Sequence, residues 1–183
     1  MEKNNKISPK VLFSILGALV LCFSGIIIIN EYTLVSGEEV FLKTVPVDPR
    51  DILRGDYVIL RYEIERNEKV KTFIAQEKLS AGDVFYLILN KDEKDLATLD
   101  RLALEMPKEA LYIKGAVGKG GWRGAAVELG IGKYFVPEKR GREVERIRGG
   151  LTVLVSVDKL GKALIKDLYY KEKKIDFKND KIL

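Results

Sequence analysis

The chain contains no histidine and a single cysteine, Cys22, in 183 residues. The first absence removes the commonest general base and the commonest metal ligand. The second excludes an intrachain disulfide and any cysteine-based zinc cluster. Tryptophan occurs once and proline five times, and no Pro/Ser-rich stalk is present. A charge of one sign is also lacking. Lys and Arg number 32 against 27 Asp and Glu, interleaved along the chain, so the net +5 builds no basic stripe for nucleic acid. Catalysis, if any, falls to carboxylates, lysines, tyrosines or serines, and neither a cofactor nor a metal site is expected.

What is present begins with VLFSILGALVLCFSGIIII, residues 11–29, nineteen residues without a charge. As an α-helix this run is about 28 Å long, close to the thickness of a bilayer's hydrocarbon core. Lys3, Lys6 and Lys10 precede it, and Asn30 and Glu31 follow. The positive-inside bias therefore predicts a single-pass anchor over 11–30, with 1–10 in the cytoplasm and the rest outside. A cleaved signal peptide would have a shorter apolar core and a small-x-small site. A lipoprotein would carry a small residue, not Leu21, before Cys22. Cys22 then reads as an inert apolar side chain of the anchor.

Residues 31–39 read as a short polar connection that holds an extracytoplasmic domain, 40–183, close to the membrane. From Val40 the apolar period is two. Val58, Leu60, Tyr62 and Ile64 form one apolar face of a half-buried strand, and 70–75 is a second strand that would pair with it across a turn at 66–68. Residues 84–89, VFYLIL, are apolar on both faces and suit a central strand. Further strands are predicted over 111–117 and 125–136, flanking the loop 118–124. Another pair, 151–157 and 163–170, flanks a turn in which Gly161 supplies positive φ. Only 138–148 looks helical. The expectation is a mainly β, antiparallel sandwich or partly closed barrel with at least seven strands and one short helix.

Three clusters stand out. VDPRDILRGDYVILRY, 47–62, packs acids against arginines. Asp48-Pro49-Arg50-Asp51 fits a type I turn, and Gly55 lets Asp56 bond nearby amides where the strand begins, with Arg54 beside it. Each residue thus has a turn role; the competing reading makes Asp51 and Asp56 a carboxylate pair for acid–base work or a cation. The glycine-rich loop 118–124 carries Lys119, Trp122 and Arg123 and is a candidate partner surface, although it lacks a phosphate-loop pattern. Tyr134-Phe135-Val136-Pro137-Glu138 reads as a strand stopped by proline before a charge-laced segment. The turn at Ser80-Ala81-Gly82-Asp83 echoes Leu53-Arg54-Gly55-Asp56.

Gly55-Asp56-Tyr57, then Leu60, Tyr62 and Ile64, spell G-D-Y-x-x-L-x-Y-x-I. With 48–51 and 134–138, this resembles the GDYXXLXY protein family of membrane-anchored bacterial proteins. The resemblance implies a single-pass anchor, an extracytoplasmic domain without an established activity, and a multi-pass membrane protein as partner. Pro49, Leu53, Gly55 and Asp56 are also loosely similar to membrane-anchored signal peptidases. The nucleophilic serine of those enzymes has no counterpart just before Pro49. The leading expectation is a binding or scaffolding domain. A hydrolase or transferase built on Asp51, Asp56, Ser80 or Ser156 is one alternative, and a surface sensor of small ligands is another.

Overall fold

A computed structural model describes residues 8–45, 57–119, 127–137 and 150–177. Helix α1 is Pro9–Ser36, with proline in its first turn, where its missing N–H costs nothing. Its 28 residues are about 42 Å long, so the last seven project about 10 Å beyond Ile29. The expected connection over 31–39 is therefore taken up by the end of α1 and the start of β1 (Glu38–Lys43), with Gly37 alone between them. From Val11 to Ile29 the large apolar side chains stand exposed, Leu21 at 75%, and Cys22 is exposed among them.

The remainder is mainly β. The strands are β1, β2 (Tyr57–Ile59), β3 (Val84–Lys91), β4 (Ala97–Ala103), β5 (Tyr112–Val117), β6 (Val127–Glu128), β7 (Lys133–Phe135), β8 (Leu151–Val157), β9 (Ala163–Tyr170) and β10 (Lys173–Lys174). They form two four-stranded sheets, β1-β8-β9-β10 and β4-β3-β5-β6, and a pair, β2-β7. Every ladder is antiparallel. Among the described residues the sheets do not close on one another. They are tied by a parallel bridge from Phe41 to Leu96, an antiparallel bridge from Thr44 to Tyr62, and a bond from the Lys114 N–H to the Gly161 carbonyl. One core joins them, with Val40 and Leu42, Leu60 and Tyr62, Phe85 and Leu87, and Val153 and Val155 all buried.

Segment 84–89 is apolar on both faces because β3 is central, paired with β4 on one side and β5 on the other. The predicted hairpin 151–157/163–170 is present with the expected bounds. Segment 125–136 does not form one strand. β6 pairs with β5 while β7 pairs with β2, and Leu129 and Ile131 bury between them as the chain changes sheets.

Two local expectations are corrected. Segment 70–75 is not a strand but lies in helix α2 (Glu68–Gln76). Asn67 caps it, its side-chain oxygen accepting the Lys69 N–H at 3.0 Å. The residues it buries, Val70 and Ile74, are four apart, as a helix face requires. The face Val58, Leu60, Tyr62, Ile64 is wholly buried as predicted, but only 57–59 is strand. The chain passes through a bridge at Tyr62 into a 3₁₀ turn, Glu63–Arg66, whose third residue, Glu65, accepts the Tyr62 N–H at 3.3 Å. The predicted helix 138–148 lies outside the described residues.

Candidate functional site

A dense set of hydrogen bonds forms where α1 meets the sheet. Its residues come from the last two turns of the helix and from the β8–β9 hairpin, more than 120 positions later. Thr33 is buried, alone among the α1 residues whose side chains are described, and Ser156 on β8 is buried opposite it. The Ser156 hydroxyl donates to the Thr33 carbonyl at 2.6 Å. The single proton of the Thr33 hydroxyl is shared between the Ile29 carbonyl at 3.1 Å and Asp158 Oδ2 at 3.3 Å. The same Thr33 carbonyl accepts the Gly37 N–H at 3.0 Å. A side chain at position 37 would strike Ser156 Oγ, the Thr33 carbonyl and the Val157 carbonyl, so only glycine lets helix pass to strand here.

Two lysines from β9 and its turn close the other side. Lys162 Nζ donates to Asn30 Oδ1 at 2.6 Å. Lys166 Nζ donates to the Leu34 carbonyl at 3.2 Å and to Glu39 Oε1 at 2.6 Å. A cation beside the last carbonyls of a helix also suits the negative end of its dipole. The helix is thus fixed to the domain over two turns by hydroxyls and ammonium groups together. A buried hydrogen bond contributes about 1 kcal/mol net, and leaving one partner unpaired costs about 1–3 kcal/mol.

Asp158 links this junction to the hairpin turn. Its Oδ1 accepts the Leu160 and Lys162 N–H groups, both at 2.9 Å, while Oδ2 receives Thr33. The Tyr112 hydroxyl donates to the Lys159 carbonyl at 2.6 Å. Burial, then the neighbouring Tyr86 and Asp158, push that phenol's pKa up, which keeps it a donor. Beside the junction lies a cleft of about 910 Å³ between α1, residues 107–112 and residues 157–160. Ile28, Ile29 and Tyr32 form its helix wall, and Pro107 and Leu160 face them.

The motif residues lie elsewhere. Leu60, Tyr62 and Ile64 are core side chains, and the Tyr62 hydroxyl donates to the Ile131 carbonyl at 2.8 Å. The Leu60 N–H donates to the Gly132 carbonyl at 2.9 Å. Tyr57 sits half-buried, edge-on to Phe135 at 6.1 Å, with Lys133 Nζ 5.6 Å from its ring centre. Asp48, Pro49, Arg50, Asp51, Arg54, Gly55 and Asp56 lie outside the described residues, as do Trp122 and Arg123. Lys119 is exposed just past β5. Ser80 lies in an exposed turn, its N–H bonded to Asp83 Oδ2 at 2.7 Å, immediately before β3. Ser156, a suspect for nucleophilic chemistry, is instead a sealed clamp on the helix. Among the described residues, no three Cys, Asp or Glu side chains converge to hold a metal ion.

No local pattern in the sequence marks Thr33, Lys162 or Lys166 as junction residues. A faint signal existed: Ser156 is a small polar residue in an otherwise aliphatic strand centre, a position that requires a buried partner.

Fold and junction together define a class: a β domain built directly onto an N-terminal apolar helix long enough to cross a membrane. The family model described as GDYXXLXY protein matches residues 19–168, most of the chain, and the chain belongs to that family. No curated protein and no solved structure matches it.

Proposed function

We propose that the protein is a single-pass, membrane-anchored binding or scaffolding domain that acts on an integral membrane partner. In this reading α1 crosses the membrane with residues 1–10 in the cytoplasm, following Lys3, Lys6 and Lys10, and the β domain stands outside. The observation that carries the reading is the junction. Ser156, Asp158, Lys162 and Lys166 hold the last two turns of α1, so the domain has one orientation relative to the helix. A tethered enzyme acting on soluble substrates gains nothing from such rigidity. A domain that must meet a neighbour embedded in the same membrane does, because a fixed orientation lowers the entropy cost of docking.

Affinity purification from gently solubilised membranes tests this. A multi-pass protein should be recovered in stoichiometric amount, and Ser156→Ala with Lys166→Ala should weaken its recovery while the domain stays folded. Repeated recovery of the protein alone, from membranes crosslinked before solubilisation, refutes the proposal.

A further inference from the structure

The turn between β8 and β9 exposes a leucine on a tightly held loop. Leu160 is 65% exposed, yet the backbone around it is bonded on every side. The Leu160 and Lys162 N–H groups go to Asp158, the Gly161 N–H to the Asp158 carbonyl, and the Asp158 N–H to the Lys162 carbonyl. From the neighbouring sheet, Lys114 donates its N–H to the Gly161 carbonyl at 2.8 Å and Tyr112 its hydroxyl to Lys159. Gly161 has φ +77°, and a side chain there would run into the Tyr112 ring. The turn therefore cannot fold Leu160 inward, and its exposure is imposed by the architecture.

Its height along α1 identifies what meets it. Lys162 bonds Asn30, the first polar residue after the apolar run 11–29, and Leu160 lines the same cleft as Ile28 and Ile29. Leu160 is also the only exposed large apolar side chain outside α1, among the described residues, that lines this cleft. A helix whose apolar run matches the hydrocarbon thickness puts Ile28 and Ile29 at the edge of the acyl chains. A leucine at that depth, beside the exposed Lys159 whose long stem can carry its charge to the phosphates, is the pattern of an interfacial contact. Tyr32, exposed on the same helix wall, has the amphipathic ring enriched at that level.

We propose that the Lys159-Leu160-Gly161-Lys162 turn dips into the membrane interface, with Leu160 among the acyl chains and the lysine at 159 at the phospholipid phosphates. The domain then touches the bilayer at two points, α1 and this turn, which sets its tilt. This rests on the reading of α1 as a membrane span.

The test places a nitroxide at Leu160→Cys in a Cys22→Ala background. The full chain is reconstituted in phosphatidylethanolamine/phosphatidylglycerol vesicles. Accessibility to oxygen, which concentrates in the bilayer, is compared with accessibility to a water-soluble nickel chelate. Leu19→Cys, mid-helix, and Glu172→Cys, on an exposed turn at the other end of β9, are the references. The expected result is an oxygen-to-nickel ratio at 160 well above that at 172 and below that at 19. A ratio at 160 equal to that at 172, with 19 reading lipid, overturns the proposal and leaves the anchor standing. Aqueous readings at both 19 and 160 overturn the anchor and the proposal together. Protection of 160 from both reagents overturns it in favour of a covering protein.

Discussion

Tyr62 closes the family's defining motif, and its phenol offers a sharp test of whether that motif is architecture. Tyr62→Phe keeps the ring, and with it the apolar packing of a fully buried side chain. It removes one oxygen, the donor to the buried Ile131 carbonyl at 2.8 Å. A buried acceptor left without its donor costs about 1–3 kcal/mol. For a chain of this length that is a fall in melting temperature of about 2–12 °C. Tyr62→Ala, which also empties a large volume, should cost about 3–5 kcal/mol. Denaturation in detergent micelles, followed by far-UV circular dichroism and by Trp122 fluorescence, measures both, and coincident curves license the comparison.

The alkaline limb adds a second readout from the same hydroxyl. Burial, then the charge of Glu65, raises the phenol's pKa in the folded protein above its ordinary 10.0. A group raised in this way contributes stability that is complete below the unfolded value and is lost as pH rises beyond it. The gap between wild type and Tyr62→Phe should therefore shrink above pH 10. Folded Tyr62→Phe should still recover the proposed membrane partner. A variant as stable as wild type to within about 0.5 kcal/mol at every pH, or one that folds normally and loses the proposed partner, refutes the structural reading of the motif.

Other perturbations separate the remaining elements. Burial pushes the Glu65 carboxyl up to about 7, against the pull of the Tyr62 N–H and of Arg61 and Arg66. Its contribution is thus complete below the ordinary 4.5 and lost as pH rises through about 7. Glu65→Gln should remove that decline, a difference of up to about 3 kcal/mol in denaturation curves taken at pH 4.5 and 8. Asn67→Ala deletes the α2 cap and should cost about 0.5–2 kcal/mol, with amide exchange quickened at Lys69 and its neighbours; unchanged exchange there would contradict the capping assignment. Gly161→Ala combines a positive φ with a collision against Tyr112 and should cost about 1–3 kcal/mol. Gly161→Ala should also raise the nitroxide mobility at position 160; a stable variant with a rigid turn would show that Gly161 does not fix the loop.

Much of this protein was legible along the chain because the controlling physics is local or periodic. An uncharged stretch of nineteen residues makes a helix that no aqueous face can satisfy. The runs 151–157 and 163–170 alternate or saturate with apolar residues around a glycine turn, and they pair as read. The buried set Val58, Leu60, Tyr62, Ile64 followed from alternation alone. Alternation did not reveal that the strand stops at Ile59, because a 3₁₀ turn delivers Ile64 to the same core. Segment 70–75 has apolar residues that satisfy both periods, and tertiary packing chose the helix, where Asn67 caps the start and Val70 and Ile74 share a face.

The junction belonged wholly to tertiary structure. Ser156 and Thr33 are 123 positions apart, and each alone reads as an ordinary polar residue. Their hydroxyls acquire meaning only when β8 is laid against the end of α1 and a buried carbonyl needs a donor. The same contact ties the end of α1 to β8, within the segment expected to be a connection. Sequence determined that there is a helix long and apolar enough to cross a membrane and a β domain after it. Folding decided how firmly one holds the other, because that depends on bonds between groups that no local pattern relates.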